Sequence, residues 1–396
     1  MELTAKRGRE ATVTNYNLIT IILIWCGFAV VSSLYVTIPM VSIFVKEFEI
    51  TTAQAAWSSS AFSFTYATSF LFFGPLSDRY GRKQMMFWGL VALFIVSPLL
   101  AFVTDFSWLV ALRAIQGIAA ATFAPAVLAY IVEIYPAERR VTAIGFVSSG
   151  FLMSGIAGQV LSSWVSQNLG WPYVFSFLAG AYFLSSFLVG WLLPRGERQE
   201  HISVVLALKQ MGAILSRKSL LVCYFIAATL LLSFVGMYTA LGSYLSQSPF
   251  DLSSSQILLV RAAGIFGMCL SPFVGHFVKK LGTKTVLQAG LVSSVLGLCI
   301  VGVSSSLALL IFMSVLFVAG ISITVPALIS LVGELAVESR GIAVSLYTFI
   351  LFIGATLGPI ITLCFLKTGS YTLTFESLSI SLGIGFLFSF LIRKPK

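Results

Sequence analysis

Residues 74–83 read GPLSDRYGRK, gathering Asp78, Arg79, Arg82 and Lys83 around Gly74 and Gly81 within an otherwise apolar stretch. Glycines at these positions allow close backbone approach and backbone angles that other residues avoid. Asp78 can accept hydrogen bonds from the exposed amides of a facing helix N-terminus. Arg79, Arg82 and Lys83 can bond carboxylates or lipid phosphates. Such a cluster can latch two bodies together and release them; alternatively its basic residues only hold a loop on one side of a membrane. Three further charged residues, Arg113, Arg261 and Glu376, lie inside apolar runs, where an ionisable side chain is costly and marks function by default. Gln116, Ala120 and Phe123 follow Arg113 at helical steps, and we expect that face to line a cavity. The alternative is that each arginine snorkels to the interface or bonds a structural carbonyl, and that Glu376 meets the outer headgroups. The five cysteines, Cys26, Cys223, Cys269, Cys299 and Cys364, have no metal-ligand or CxxC spacing and read as small core residues.

The elements that carry these residues follow from composition. The 396 residues are 58% hydrophobic and 10% charged, which describes an all-α integral membrane protein rather than a soluble chain. Apolar stretches of helical length predict twelve transmembrane helices, at 17–45, 53–76, 85–102, 108–132, 142–166, 172–193, 219–247, 255–278, 285–304, 307–332, 342–366 and 373–392. With the N-terminus inside, alternate loops hold 20 of the 24 Lys and Arg, so both termini are expected on the cytoplasmic side of a cell membrane. The net charge of +10 is then topological and gives no reason to expect nucleic acid.

The longest polar connection divides the chain into residues 1–193, a linker at 194–218 and residues 219–396, giving two six-helix bundles. Within the linker, 202–215 reads either as an amphipathic helix on the inner membrane surface or as a solvated connection. A shift of 201 residues lays Gly74 on Gly275, Gly81 on Gly282, Lys83 on Lys284, Glu133 on Glu334 and Arg139 on Arg340. The halves therefore read as structural repeats, with a substrate site between them near the midplane. Glu133, Arg139, Glu334 and Arg340 fall at the inner boundary and join the expected gate. Tyr35, Trp57, Phe62, Tyr66, Tyr238 and Tyr347 fall on spans expected to face the pathway, or else fill helix interfaces.

GPLSDRYGRK resembles the signature loop of the major facilitator superfamily, GxLaDrxGrk, and LVALRAIQGIAAA at 109–121 resembles the fourth-helix motif of its 12-helix drug/proton antiporter branch. EIYPAERR at 133–140 is similar to the loop after helix four. The resemblance spans the chain and implies a transporter in which Asp78 latches the inner gate and Arg113 takes part in proton coupling. Lys279 stands where the second half would repeat Asp78, and the fifth-helix motif departs to GFLMSGIAGQ, with Gly150 kept and Gly155 in place of proline. Gly117, Gly354, Gly358 and Pro359 read as helix-packing and bending positions.

The chain lacks HExxH, GxSxG, a phosphate-cradling loop and paired intramembrane carboxylates, so an intramembrane enzyme is disfavoured, as is a sensor without an output domain. The expectation is proton-driven efflux of small amphiphilic molecules or drugs by a monomer in contact with lipid, needing no metal or cofactor beyond the proton gradient. The two arginines favour, as the alternative, a polar anionic or zwitterionic metabolite such as a metallophore or sugar derivative.

Overall fold

The computed structural model describes residues 15–196 and 212–392, excepting the side chains of Thr52, Ala53, Asp78, Ser254, Ser255 and Glu338. The segment at 202–215, expected as either an amphipathic helix or a solvated connection, lies largely outside the described residues. No strand occurs among those described, as an apolar environment demands of backbone that must satisfy its own hydrogen bonds. The first half comprises α1 (Tyr16–Tyr35), the short α2 (Val41–Glu47) and α3 (Thr52–Ala55), then α4 (Trp57–Tyr80) and α5 (Arg82–Leu100). It continues through α6 (Phe106–Ala120), α7 (Ala124–Ile134), α8 (Ala137–Asn168) and α9 (Trp171–Leu192). The second half comprises α10 (Lys218–Leu245), α11 (Ser254–Met268), α12 (Val274–Leu281), α13 (Thr283–Val303), α14 (Leu307–Leu335), α15 (Arg340–Leu366) and α16 (Tyr371–Ser389).

Eleven candidate spans are both long and apolar enough to cross a bilayer, with α6–α7 and α11–α12 each counting as one. The twelfth expected span is α4, whose 24 residues reach about 36 Å at helical rise. Serines and threonines lower its hydropathy, yet Ser63, Thr65 and Thr68 donate to the carbonyls of Ser59, Ala61 and Phe64 one turn earlier, which reconciles their hydroxyls with lipid depth.

Prolines explain where helices break. The first span, expected to run to residue 45, ends at Tyr35. Pro39 lacks an amide and disfavours helix at the residue before it, so a turn separates α1 from α2. Pro125 similarly opens α7 after the turn at 121–123, and Pro272 sits in the 3-10 turn between α11 and α12. The loop expected at 77–84 contracts to one residue: Gly81, at φ +94°, caps α4 and opens α5. Gly282, at φ +83°, does the same between α12 and α13, so one special backbone conformation recurs at the 201-residue offset.

Packing within the first half runs through α1–α8, α5–α9 and α4–α6, and within the second through α13–α14, α10–α15 and α13–α16. Between the halves, α4 meets α15, and α8 meets α11, the Ser271–Phe273 turn, α12 and α14. Cys26 and Cys223 are buried in this packing. Cys269 and Cys364 are exposed on the protein surface and Cys299 is half-buried, correcting the expectation that all five fill the core.

Candidate functional site

At the end of the molecule that carries Gly81 and Gly282, here the basic end, the halves close through small residues. Gly74 of α4 abuts the side chain of Ser345 on α15, and its repeat counterpart Gly275 on α12 abuts Thr142 on α8. Gly145 of α8 lies against the backbone of Ser271 and Pro272, leaving no room for a Cβ. Ser271 Oγ donates to the Gly145 carbonyl at 2.9 Å, and Ser149 Oγ donates to the Met268 carbonyl at 3.1 Å. Deeper in, Phe352 of α15 packs on Tyr66 and Phe70 of α4, with ring centroids 5.0 and 5.2 Å apart.

The charged residues of the expected latch do different work. Arg82 bonds the Ala129 carbonyl at 2.6 Å and pairs with Glu133 at 2.8 Å, tying α5 to α7 within the first half. Lys83 donates to the carbonyls of Gly190 and Leu193 at 2.8 and 2.6 Å, satisfying the C-terminus of α9. The second half repeats both devices: Thr283 donates to Glu334 at 3.1 Å, and Lys284 donates to the Phe390 and Ile392 carbonyls. Arg340 Nε bonds the Gly333 carbonyl at 2.8 Å, Arg139 lies over the Tyr16 ring at 5.5 Å, and exposed Arg79 lies over Tyr80 at 5.4 Å. Each of these bonds joins groups of the same half. The Asp78 side chain lies outside the described residues.

Arg113 is fully buried in the first half. Its Nε donates to the Ser58 carbonyl at 2.9 Å, Nη1 to Gln116 Oε1 at 2.6 Å, and Nη2 to the Ser33 carbonyl at 2.8 Å. The guanidinium sits 4.4 Å above the Phe62 ring, and Gln116 passes the network on to Ser97 at 2.8 Å. Carbonyls and a π face thus compensate a charge taken out of water. Arg113, Gln116 and Phe123 are buried within the first half, and the first two join α1, α4, α5 and α6. Phe62 stacks on Tyr66 at 5.5 Å, so one aromatic row leads from Arg113 to Phe352 across the interface.

Towards the opposite end, a cavity of about 290 Å³ separates the halves, lined from the first by Tyr35, Gly155 and Gln159 and from the second by Phe234, Tyr238 and Arg261. Arg261 Nη2 donates to the Tyr238 carbonyl at 2.8 Å, while its buried Nε has no hydrogen-bond partner. The other expected pathway residues sit elsewhere. Glu376 accepts from the Cys299 thiol at 3.3 Å, between α16 and α13. Trp57 is exposed and borders a groove of Glu47, Glu49 and Asp105 within the first half. Tyr347 is fully buried, away from the cavity lining. Phe234, Gln159, Thr239 and Ser243 also line the cavity without having been expected. Thr239 and Ser243, one helical turn apart beside Tyr238 and Gly242, form a polar stripe in an apolar span that could have revealed that face.

The glycines act in packing. Gly117 faces Phe62 and Thr65, Gly150 faces Ile24, and a Cβ on Gly155 would sit 3.5 Å from the Tyr35 ring. Gly354 and Gly358 bring α15, with Pro359 inside it, against the backbone of Ala228 and Leu232 on α10.

A family model described as Major Facilitator Superfamily matches residues 23–359 and 250–396. An uncharacterized transporter of Buchnera aphidicola subsp. Schizaphis graminum is 27% identical over 351 residues, covering 88% of this chain and 85% of that protein. The uncharacterized MFS-type transporter YybF of Bacillus subtilis is 28% identical over 335 residues, covering 83% and 82%. The multi-drug resistance efflux pump PmrA of Streptococcus pneumoniae is 25% identical over 380 residues, covering 92% and 94%.

Proposed function

The chain belongs to the Major Facilitator Superfamily, a transporter and not an enzyme, and on that premise we propose that it exports small amphiphilic molecules in exchange for protons. The observation that carries the reading is the asymmetry between the two ends. The halves meet through small residues, with no room for a Cβ on Gly74, Gly145 or Gly275, at the basic end and part around a mixed aromatic and polar cavity towards the other. That geometry suits a molecule caught in one arm of alternating access, with rocking about the midplane exposing the cavity to each side in turn. With the basic end on the cytoplasmic side, as charge asymmetry favours, the arrangement is the one in which an exporter discharges its load.

Export in particular is supported by the similarity to PmrA, a protein named as a multidrug efflux pump. Proton coupling draws on the resemblance of the Arg113 segment to the antiporter motif. A second reading, export of a polar anionic or zwitterionic metabolite, is favoured by the incompletely bonded guanidinium of Arg261 in the cavity. Reconstitution into vesicles with an imposed pH gradient tests the proposal. Uptake of a lipophilic dye into everted vesicles acidic inside, abolished by collapsing the gradient, is expected; gradient-independent movement, or none across a broad panel of amphiphiles, contradicts it.

A further inference from the structure

We propose that the cavity between the halves selects amphiphiles that carry one anionic group, and that Arg261 is the residue that reads this charge. The inference deepens the export reading and rests on it for the role of the site in a transport cycle. It begins from a contrast between the two intramembrane arginines. Arg113 has acceptors for Nε, Nη1 and Nη2, all supplied by its own half. Arg261 has one, the Tyr238 carbonyl on Nη2, and its Nε is buried without any. Every nitrogen of the first guanidinium has an acceptor, whereas the second lines an open cavity with a protein acceptor on Nη2 alone.

Among the described residues, no aspartate or glutamate lines that cavity to neutralise the charge. In surroundings of low dielectric an unpaired cation repels a cationic ligand and attracts an anionic one far more strongly than in water. The planar fork of a guanidinium matches carboxylate, sulfonate or phosphate oxygens in a two-bonded arrangement. Gly242 makes the arrangement possible, because a Cβ there would overlap Arg261 Nη2. The remaining walls set the rest of the ligand. Phe234 stands edge-on to Tyr238 with centroids 5.1 Å apart, and Tyr35 packs across from them on Gly155. These faces accept a ring without strict geometry. The volume of about 290 Å³ suits one ring with a short chain.

Three size-matched probes test the proposal on the purified full chain at pH 7.5: 4-phenylbutyrate, 4-phenylbutyramide and 4-phenylbutylamine, by equilibrium binding. The carboxylate is expected to bind at least about 10-fold more tightly than the amide or the amine. Arg261→Gln is expected to weaken carboxylate binding by about 10- to 100-fold while changing amide binding less than about 3-fold, and Arg261→Lys to retain part of the preference. The wild-type comparison needs no substitution, so it decides even if a variant misfolds. Equal binding of the three probes, no detectable carboxylate binding, or a preference that survives Arg261→Gln overturns the inference. Carboxylate preference without proton-driven flux upholds it and sinks the export reading; proton-driven flux of the amine without that preference does the reverse.

Discussion

A single guanidinium, that of Arg113, ties α6 to α1 and α4 from a fully buried position. Its partners are main-chain carbonyls of Ser33 and Ser58 on two other helices, and a carbonyl leaves no trace in residue type. Helical phase places Arg113 and Gln116 on one face without saying whether that face meets a cavity or a neighbour. The same limit applies to Glu376, whose partner Cys299 lies 77 residues away. Because Arg113 holds three helices at once, Arg113→Ala would strip acceptors of their donor and leave a void. We expect it to cost roughly 3–5 kcal/mol, seen as a lower thermal unfolding midpoint in detergent, with Arg113→Lys falling between. A midpoint unchanged by the alanine variant would contradict the bracing role.

The helices themselves were the most readable elements, because lipid leaves a span little choice but an unbroken apolar helix. What the apolar pattern could not show were the interruptions at Pro39, Pro125 and Pro272, where missing amides matter more than hydropathy. In the opening motif, among the described side chains, Gly74 touches the other half, while Arg82 and Lys83 bond carbonyls of their own half. Nothing in the sequence marks Gly145 as the glycine of α8 that faces the other half. Its neighbours are backbone atoms of Ser271 and Pro272, which cannot rotate aside, whereas Gly180 faces open space. Gly145→Val should therefore part α8 from the 3-10 turn and reduce transport at least about 10-fold at normal expression, as overpacking against backbone does. Gly180→Val should leave transport within about 2-fold. Equal effects of the two substitutions in a vesicle uptake assay would show that contact across the interface does not limit the cycle.

For the whole molecule, the 201-residue offset proved more informative than any single motif. Gly81 and Gly282 share a left-handed backbone, Lys83 and Lys284 cap corresponding helix ends, and Gly74 and Gly275 both press against the opposite half. Two halves that repeat such a contact can rock about a shared middle, because the Gly74 contact at the basic end has a counterpart at Gly275 that must part with it. The asymmetry that chooses which end is open could not be read from the chain, since it belongs to one arrangement of the helices and not to their order.

The most direct test of that rocking is a reversible bond across the basic end. In a variant with the native cysteines replaced, Glu138→Cys on α8 and Lys279→Cys on α12 stand at exposed positions that line one groove between the halves at the basic end. Bridging them in vesicles with a short bis-methanethiosulfonate reagent is predicted to bring proton-driven flux to background and reduction to restore it. Undiminished flux through fully cross-linked protein would contradict the account.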